Sequence, residues 1–169
     1  MHRPESHEYG AYYGGYIDRV PDGDILATLA SQREEFLSLV RSVPEERGGH
    51  RYAPGKWSIR ELLGHLVDTE RVLGYRALVI ARGDATPLPG FEQDDYVEGG
   101  HFDRRTIADL ADEFEALRRS HEILFTSFDD EVWVRSGTAS ESPFSTRALA
   151  WIMAGHVFHH ADILAARYL

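Results

Sequence analysis

The feature that most restricts the fold is a helical spacing of apolar residues in four separate segments. In each segment apolar side chains recur every three or four residues, which places them on one face of an α-helix. No credible pattern of several strands accompanies these segments, so the sequence predicts an antiparallel four-helix bundle. The predicted helices run from Asp24 to before Pro44, from Ser58 to near Ala81, from roughly Thr106 to Ser127, and from Ser145 over about six turns.

Residue types at the helix starts support these boundaries. Ser58 is followed three residues later by Glu61, which is the spacing of a capping box. Trp57 directly before this cap can pack against Leu62 as a hydrophobic staple. Ser145 can likewise cap the fourth helix through its hydroxyl oxygen.

The segments between the helices are rich in glycine and proline. Residues 83–104 contain too many of these helix breakers for a helix or a central strand, so we expect an irregular connection packed through Phe91, Tyr96 and Phe102. Residues 136–143 suggest a second loop. Residues 1–20 combine tyrosines with glycines without helical periodicity, and we interpret them as a tyrosine-rich N-terminal arm. We therefore expect one domain over residues 1–169, with the bundle in residues 21–169.

Composition excludes several classes of function. The chain has 18 basic and 28 acidic residues, a net charge of -10, which disfavours binding to a phosphate backbone. No stretch is apolar enough for a membrane span or a signal-peptide core, so we expect a cytoplasmic protein without a membrane partner. The sequence has no cysteine, which leaves histidines and carboxylates as the available metal ligands.

Two histidines interrupt the apolar face of the fourth helix. His156 and His160 are four residues apart and therefore lie one turn above the other on the same face. Two buried imidazoles each need hydrogen-bond partners, and one divalent cation can satisfy both. A pair of hydrogen-bonded core histidines is the alternative. The segment lacks the glutamate of an H-E-x-x-H motif, so a metalloprotease of that type is disfavoured.

A third metal ligand has to come from another helix, and His65 is the natural candidate. It lies at the edge of the apolar face of the second helix, a position that weakens the geometric case. Asp68 and Glu70 follow closely and could orient a ligand, add another or accept a proton. Three imidazoles suit zinc, nickel, copper or iron. We expect zinc or nickel first, with manganese or iron as alternatives.

Several segments, taken together, match the motifs of one family. The sequence resembles DinB-like proteins, the damage-inducible family that includes the YfiT type, in residues 56–71, 87–94 and 155–160, with a further match at residues 16–24. The resemblance implies an up-down-down-up order of the four helices, with a long connection between the second and third. It also implies a divalent metal held by His65, His156 and His160, with His159 outside the ligand set.

The resemblance also suggests a reaction class. Known activities in this superfamily are transfers or isomerisations that use a low-molecular-weight thiol, so we expect a metal-dependent S-transferase acting on a small molecule. The alternatives are a metal-dependent hydrolase that activates water and a non-catalytic binding module of a stress response. The apolar helix faces and the tyrosine-rich arm make a homodimer a further expectation.

Overall fold

Four long helices make up most of the fold, and shorter elements connect and cover them. The computed structural model describes residues 2–169, so residue 1 of the predicted arm lies outside the described residues. The helices are α1 (Gly14–Ile17), α2 (Ile25–Arg41), α3 (Ile59–Ala81), α4 (Gln93–Gly100), α5 (Ile107–Thr126), α6 (Asp130–Trp133) and α7 (Thr146–Ile163). The strands are β1 (Ser136–Ala139) and β2 (Ser142–Ser145).

Contacts between the long helices fix their directions. Both α2 and α3 pack against α5 and α7. Helix α2 runs antiparallel to α5, α3 runs parallel to α5, and α7 runs antiparallel to α3. The order is therefore up-down-down-up, and the expectation from the resemblance is confirmed. For α2 and α5, the neighbouring pairs are Arg41 with Asp112 and Arg33 with Glu122. For α3 and α5, they are Arg71 with Glu113 and Gly74 with His121. For α3 and α7, they are His65 with His160 and Leu73 with Ile152.

The four predicted helix starts are confirmed. Each long helix is preceded by a side chain that accepts a hydrogen bond from a free backbone N–H of the first turn. At Ser58 the capping box is complete, because the Glu61 carboxylate also accepts a hydrogen bond from the Ser58 N–H at 2.6 Å. The four caps are Asp24, Ser58, Thr106 and Ser145.

Two predicted loops contain regular structure, and these expectations were wrong. The connection at residues 83–104 includes α4, because Val97 packs into the core and the two glycines of this helix stand at its end. The helix ends at His101, which adopts a left-handed conformation with φ of 48°. Residues 136–145 form the antiparallel hairpin of β1 and β2. Leu88 pairs with Ala139 beside this hairpin, so the long connection is tied to it.

The N-terminal segment packs across the start of α7 instead of extending freely. The Glu8 carboxylate accepts hydrogen bonds from the Ser145 hydroxyl at 2.6 Å and from Arg147 Nε at 2.7 Å. Ile17 and Val20 are buried in the core of the bundle. As a result, the tyrosines of this segment stand beside the face of α7 that carries the histidines. No helix within residues 2–169 is long and apolar enough to cross a membrane.

Candidate metal centre

Three histidines from two helices meet inside the bundle. His65 lies in the second turn of α3, and His156 and His160 lie one turn apart on α7. The side chains are 3%, 6% and 8% exposed, respectively. The Nε2 atom of His156 is 3.0 Å from that of His65 and 3.1 Å from that of His160. The structure therefore brings together the three residues that the sequence predicts as ligands, and we call them the three-histidine cluster.

Burial keeps these imidazoles neutral. Burial, together with the repulsion from neighbouring imidazoles, lowers the pKa of His65 to about 4 and that of His160 to about 3. The pKa of His156 is also well below its usual range because of burial and the two other rings of the cluster. At neutral pH, each ring therefore has one nitrogen lone pair available for a ligand.

Hydrogen bonds within the cluster cannot satisfy all three rings. The Nε2 atom of His156 faces two other Nε2 atoms, but it offers either one N–H or one lone pair. A cation can accept all three lone pairs at once. Metal–nitrogen bonds of ~2.0–2.1 Å separate two nitrogen ligands by about 3 to 3.4 Å, which fits the observed distances.

Aromatic rings surround the cluster. Trp57 packs on His65 with ring centroids 4.7 Å apart, and Tyr16 presents an edge to His156 at 5.4 Å. The buried Nδ1 atom of His160 has no hydrogen-bond partner among the described residues, so packing orients this ring. Aromatic rings therefore cover part of the surface of the cluster.

Two cavities reach the cluster. The first, which we call the tyrosine cavity, has a volume of about 260 Å³ and is lined by His65, His156 and three tyrosines of the N-terminal segment. The second, the Trp57 cavity, has a volume of about 340 Å³ and is lined by Trp57 and His160. Gln93 at the start of α4 lines both cavities. Ligands can therefore approach the cluster from either cavity.

Glu70 and Asp68, the two carboxylates that follow His65 in the sequence, differ from the cluster in their contacts. Glu70 is buried and accepts hydrogen bonds from Arg118 Nη2 at 2.5 Å and from His121 Nδ1 at 3.1 Å. Burial by itself would raise the pKa of Glu70, but the charge of Arg118 and the hydrogen bond from His121 lower it. Asp68 is half-buried, and burial raises its pKa. Neither carboxylate belongs to the three-histidine cluster.

His159 lies beside the cluster but outside it. Its ring packs against His160 at 4.9 Å and against Tyr16 at 5.5 Å. From the long connection, Phe91 lines the tyrosine cavity, and Tyr96 packs on Phe91 with ring centroids 5.1 Å apart.

Tyr16, Arg76 and Gln93 also line the tyrosine cavity, and sequence reasoning missed them. The sequence did contain a signal for Arg76. It follows His65 by eleven residues, which is close to three full helical turns, so both side chains lie on nearly the same face of the helix.

The fold and the cluster define a helical-bundle protein with a buried three-histidine site. A family model described as the DinB superfamily matches residues 28–164, and the chain belongs to this family. A solved structure is similar, with a TM-score of 0.73, 13% sequence identity, and coverage of 83% of this chain and 82% of the other. It is YfiT from Bacillus subtilis, described as "a probable metal-dependent hydrolase with an unusual four-helix bundle topology". At this identity the likeness shows the fold alone. Comparison with curated proteins gave no match.

Proposed function

We propose that this protein is a divalent-metal-dependent enzyme that transfers a group between a low-molecular-weight thiol and a second small molecule. His65, His156 and His160 are the proposed ligands of zinc or nickel, with manganese or iron as alternatives. The observation that carries the proposal is the opening of the neutral, buried three-histidine cluster onto two cavities. A divalent ion held there supplies Lewis acidity, which makes a thiol or a water molecule a nucleophile at neutral pH.

The residues around the cluster support a reaction between two bound molecules. The tyrosine cavity reaches His65 and His156, whereas the Trp57 cavity reaches His160. One reactant in each cavity would meet the other at the cluster. Tyr16 lines the first of these cavities and Trp57 the second, so an aromatic ring stands beside the cluster in each. Since the chain has no cysteine, the sulfur in such a transfer has to come from a cosubstrate.

A metal-dependent hydrolase is the second candidate function. The description of YfiT as a probable metal-dependent hydrolase favours it, because the two proteins share a fold. In this case water would replace the thiol as the nucleophile. A hydrolase would turn over without added thiol, whereas a transferase would require it.

The first experiment measures the metal content of protein purified without a histidine tag. We expect about one ion per chain in the wild type, and loss of the ion in His65→Ala, His156→Ala and His160→Ala. His159→Ala is the matched control, because this histidine neighbours the cluster on the same helix and should leave the ion in place. Wild-type protein without metal after incubation with zinc, nickel and manganese salts would contradict the proposal and favour a non-catalytic binding module.

The second experiment separates the two reactions. The metal-loaded protein is assayed for conjugation of glutathione, bacillithiol or mycothiol to 1-chloro-2,4-dinitrobenzene, and for hydrolysis of 4-nitrophenyl acetate without thiol. Thiol-dependent turnover that disappears in His156→Ala would support transfer. Thiol-independent hydrolysis with the same dependence on His156 would establish the second candidate instead.

Three further features predicted from the sequence remain predictions. They are the organisation of residues 1–169 as one domain, the cytoplasmic location and the homodimer. Sedimentation equilibrium would test the homodimer directly, since a dimer doubles the mass of 19.1 kDa for one chain.

A further inference from the structure

Arg76 on α3 is a buried cation without an acidic partner. Its side chain is 2% exposed, and none of the ion pairs within residues 2–169 includes it. Its hydrogen bonds run from Nη2 to the Pro89 carbonyl oxygen and to the Ser140 hydroxyl, both at 2.9 Å. A guanidinium carries five N–H donors, so Nε and Nη1 are left without an acceptor among the described residues. Burying a charge in this way is costly unless an opposite charge is supplied.

The other buried arginines show the usual solution to this problem. Arg118, which is fully buried, has the Glu70 carboxylate at 2.5 Å. Arg33 has the Glu122 carboxylate at 2.9 Å. Arg76 differs from both, although it lies in the same bundle. No carboxylate among the described residues forms an ion pair with Arg76, which leaves its guanidinium available to a bound anion.

The place where an anion can reach Arg76 is the tyrosine cavity, which Arg76 lines together with His65 and His156. Arg76 follows His65 by eleven residues, so both lie on nearly the same face of α3, about 16 Å apart along the helix axis. One molecule in the cavity can therefore contact Arg76 at one end and approach the cluster at the other.

The lining of the tyrosine cavity restricts the chemistry of this molecule. Arg76 is the single arginine or lysine in the lining, and the exposed Glu92 at the rim disfavours a doubly charged anion. A guanidinium matches the planar carboxylate group with two parallel hydrogen bonds. Tyrosine rings, Phe91 and Ile152 provide aromatic and apolar surface for the rest of the molecule.

We infer that the tyrosine cavity binds a small carboxylic acid with an aromatic or apolar body, whose carboxylate contacts Arg76. Its other end points towards the three-histidine cluster, and this part of the inference rests on the proposed function. Arg76 is then the residue that selects an anionic substrate over a neutral one.

The test compares acids with their own amides, which have nearly the same shape but no charge. Acetate, benzoate and 3-phenylpropionate and the corresponding amides are titrated into the protein as purified and again with a chelator, using calorimetry. A charge-assisted hydrogen-bonded pair contributes roughly 10- to 100-fold in affinity. We expect at least one acid to bind about 10-fold or more tightly than its amide.

The variant Arg76→Gln removes the charge, and Arg71→Gln is its matched control. Arg71 lies on the same helix and forms an ion pair with Glu113 at the surface, so both variants lose one positive charge. We expect the preference for the acid to disappear in Arg76→Gln and to persist in Arg71→Gln. Equal binding of every acid and its amide to the wild type, or a preference that survives in Arg76→Gln, would overturn the inference.

Two further measurements keep this result separate from folding and from the metal. Arg76→Lys retains the positive charge but lacks the planar guanidinium, so it should keep part of the preference for the acid over its amide. If Arg76→Gln does not fold, Arg76→Lys serves in its place. A preference that persists in chelated protein supports the inference even if the metal proposal fails. A protein that binds metal but shows no preference would refute the inference and leave the proposed function in place.

Discussion

Replacing Gly155 with alanine should detach the N-terminal segment from α7. A Cβ atom at position 155 would overlap the backbone carbonyl of Tyr16 and lie 3.0 Å from its Cα atom. The obstacle is backbone, so a change of side-chain rotamer cannot relieve it. Helix α1 would have to move away from α7, which would expose Ile17 and Val20.

The size of the effect follows from the buried surface. Burial of an isoleucine or valine side chain stabilises a fold by about 1.5–3 kcal/mol, so exposing two of them costs roughly 3–6 kcal/mol. Alanine is better than glycine in a helix by about 1 kcal/mol, which offsets part of this cost. We therefore expect Gly155→Ala to lower the free energy of unfolding by about 2–5 kcal/mol.

Urea unfolding followed by circular dichroism measures this change, and Gly15→Ala provides the control. A Cβ atom at Gly15, which is also helical, meets no other atom within 4 Å. Gly15→Ala should therefore leave stability unchanged or raise it slightly. If Gly155→Ala were as stable as the wild type, the close approach of the Tyr16 backbone to α7 would be refuted. Hydrogen exchange in residues 2–20 should also become faster in Gly155→Ala but not in Gly15→Ala.

Three further predictions concern the buried charged and titratable groups. The zinc affinity of the three-histidine cluster should change less than about 3-fold between pH 7.5 and 6.0, because the lowered pKa values keep the imidazoles deprotonated. Three histidines of ordinary pKa would become protonated over this range, and zinc affinity would fall roughly 50-fold. A competitive chelator titration at both pH values distinguishes the two results. Arg118→Leu should destabilise the protein by about 3–5 kcal/mol in urea unfolding, because Glu70 would remain buried without its partner, and Arg118→Leu combined with Glu70→Leu should recover part of this loss. Glu8→Gln should cost about 2 kcal/mol at pH 7. Burial raises the pKa of Glu8, but hydrogen bonds with Arg147 and other groups outweigh this effect and hold the pKa at about 2. The carboxylate is therefore stabilising above pH 4.5, and the cost of the substitution should shrink as the pH falls from 4.5 towards 2; a cost independent of pH would contradict this account.

The long helices could be predicted because their signals are local. The cap at Ser58 and its partner Glu61 are three residues apart, and the apolar spacing repeats within one turn. His156 and His160 are also one turn apart, so their shared face followed from the sequence. The order of the helices required the family resemblance, since local signals contain no information on helix direction.

The long connection shows where local signals mislead. Glycines and prolines in residues 83–104 argued against a helix, yet α4 forms because Val97 can bury its side chain and the glycines fall at the helix end. The hairpin at residues 136–145 likewise pairs with Leu88, which comes from far earlier in the chain. In both cases a distant surface stabilises a segment whose own sequence is ambiguous.

The sequence by itself determined the four long helices, their caps and one pair of histidines on a shared face. Tertiary structure decided that His65 meets this pair, that Glu70 pairs with Arg118 and that Arg76 lines a cavity without an ion-pair partner among the described residues. The physical reason is distance along the chain. Caps and periodicity act between residues a few positions apart, whereas the site depends on how each helix is rotated and shifted against the others. That rotation is fixed by the packing of the whole core.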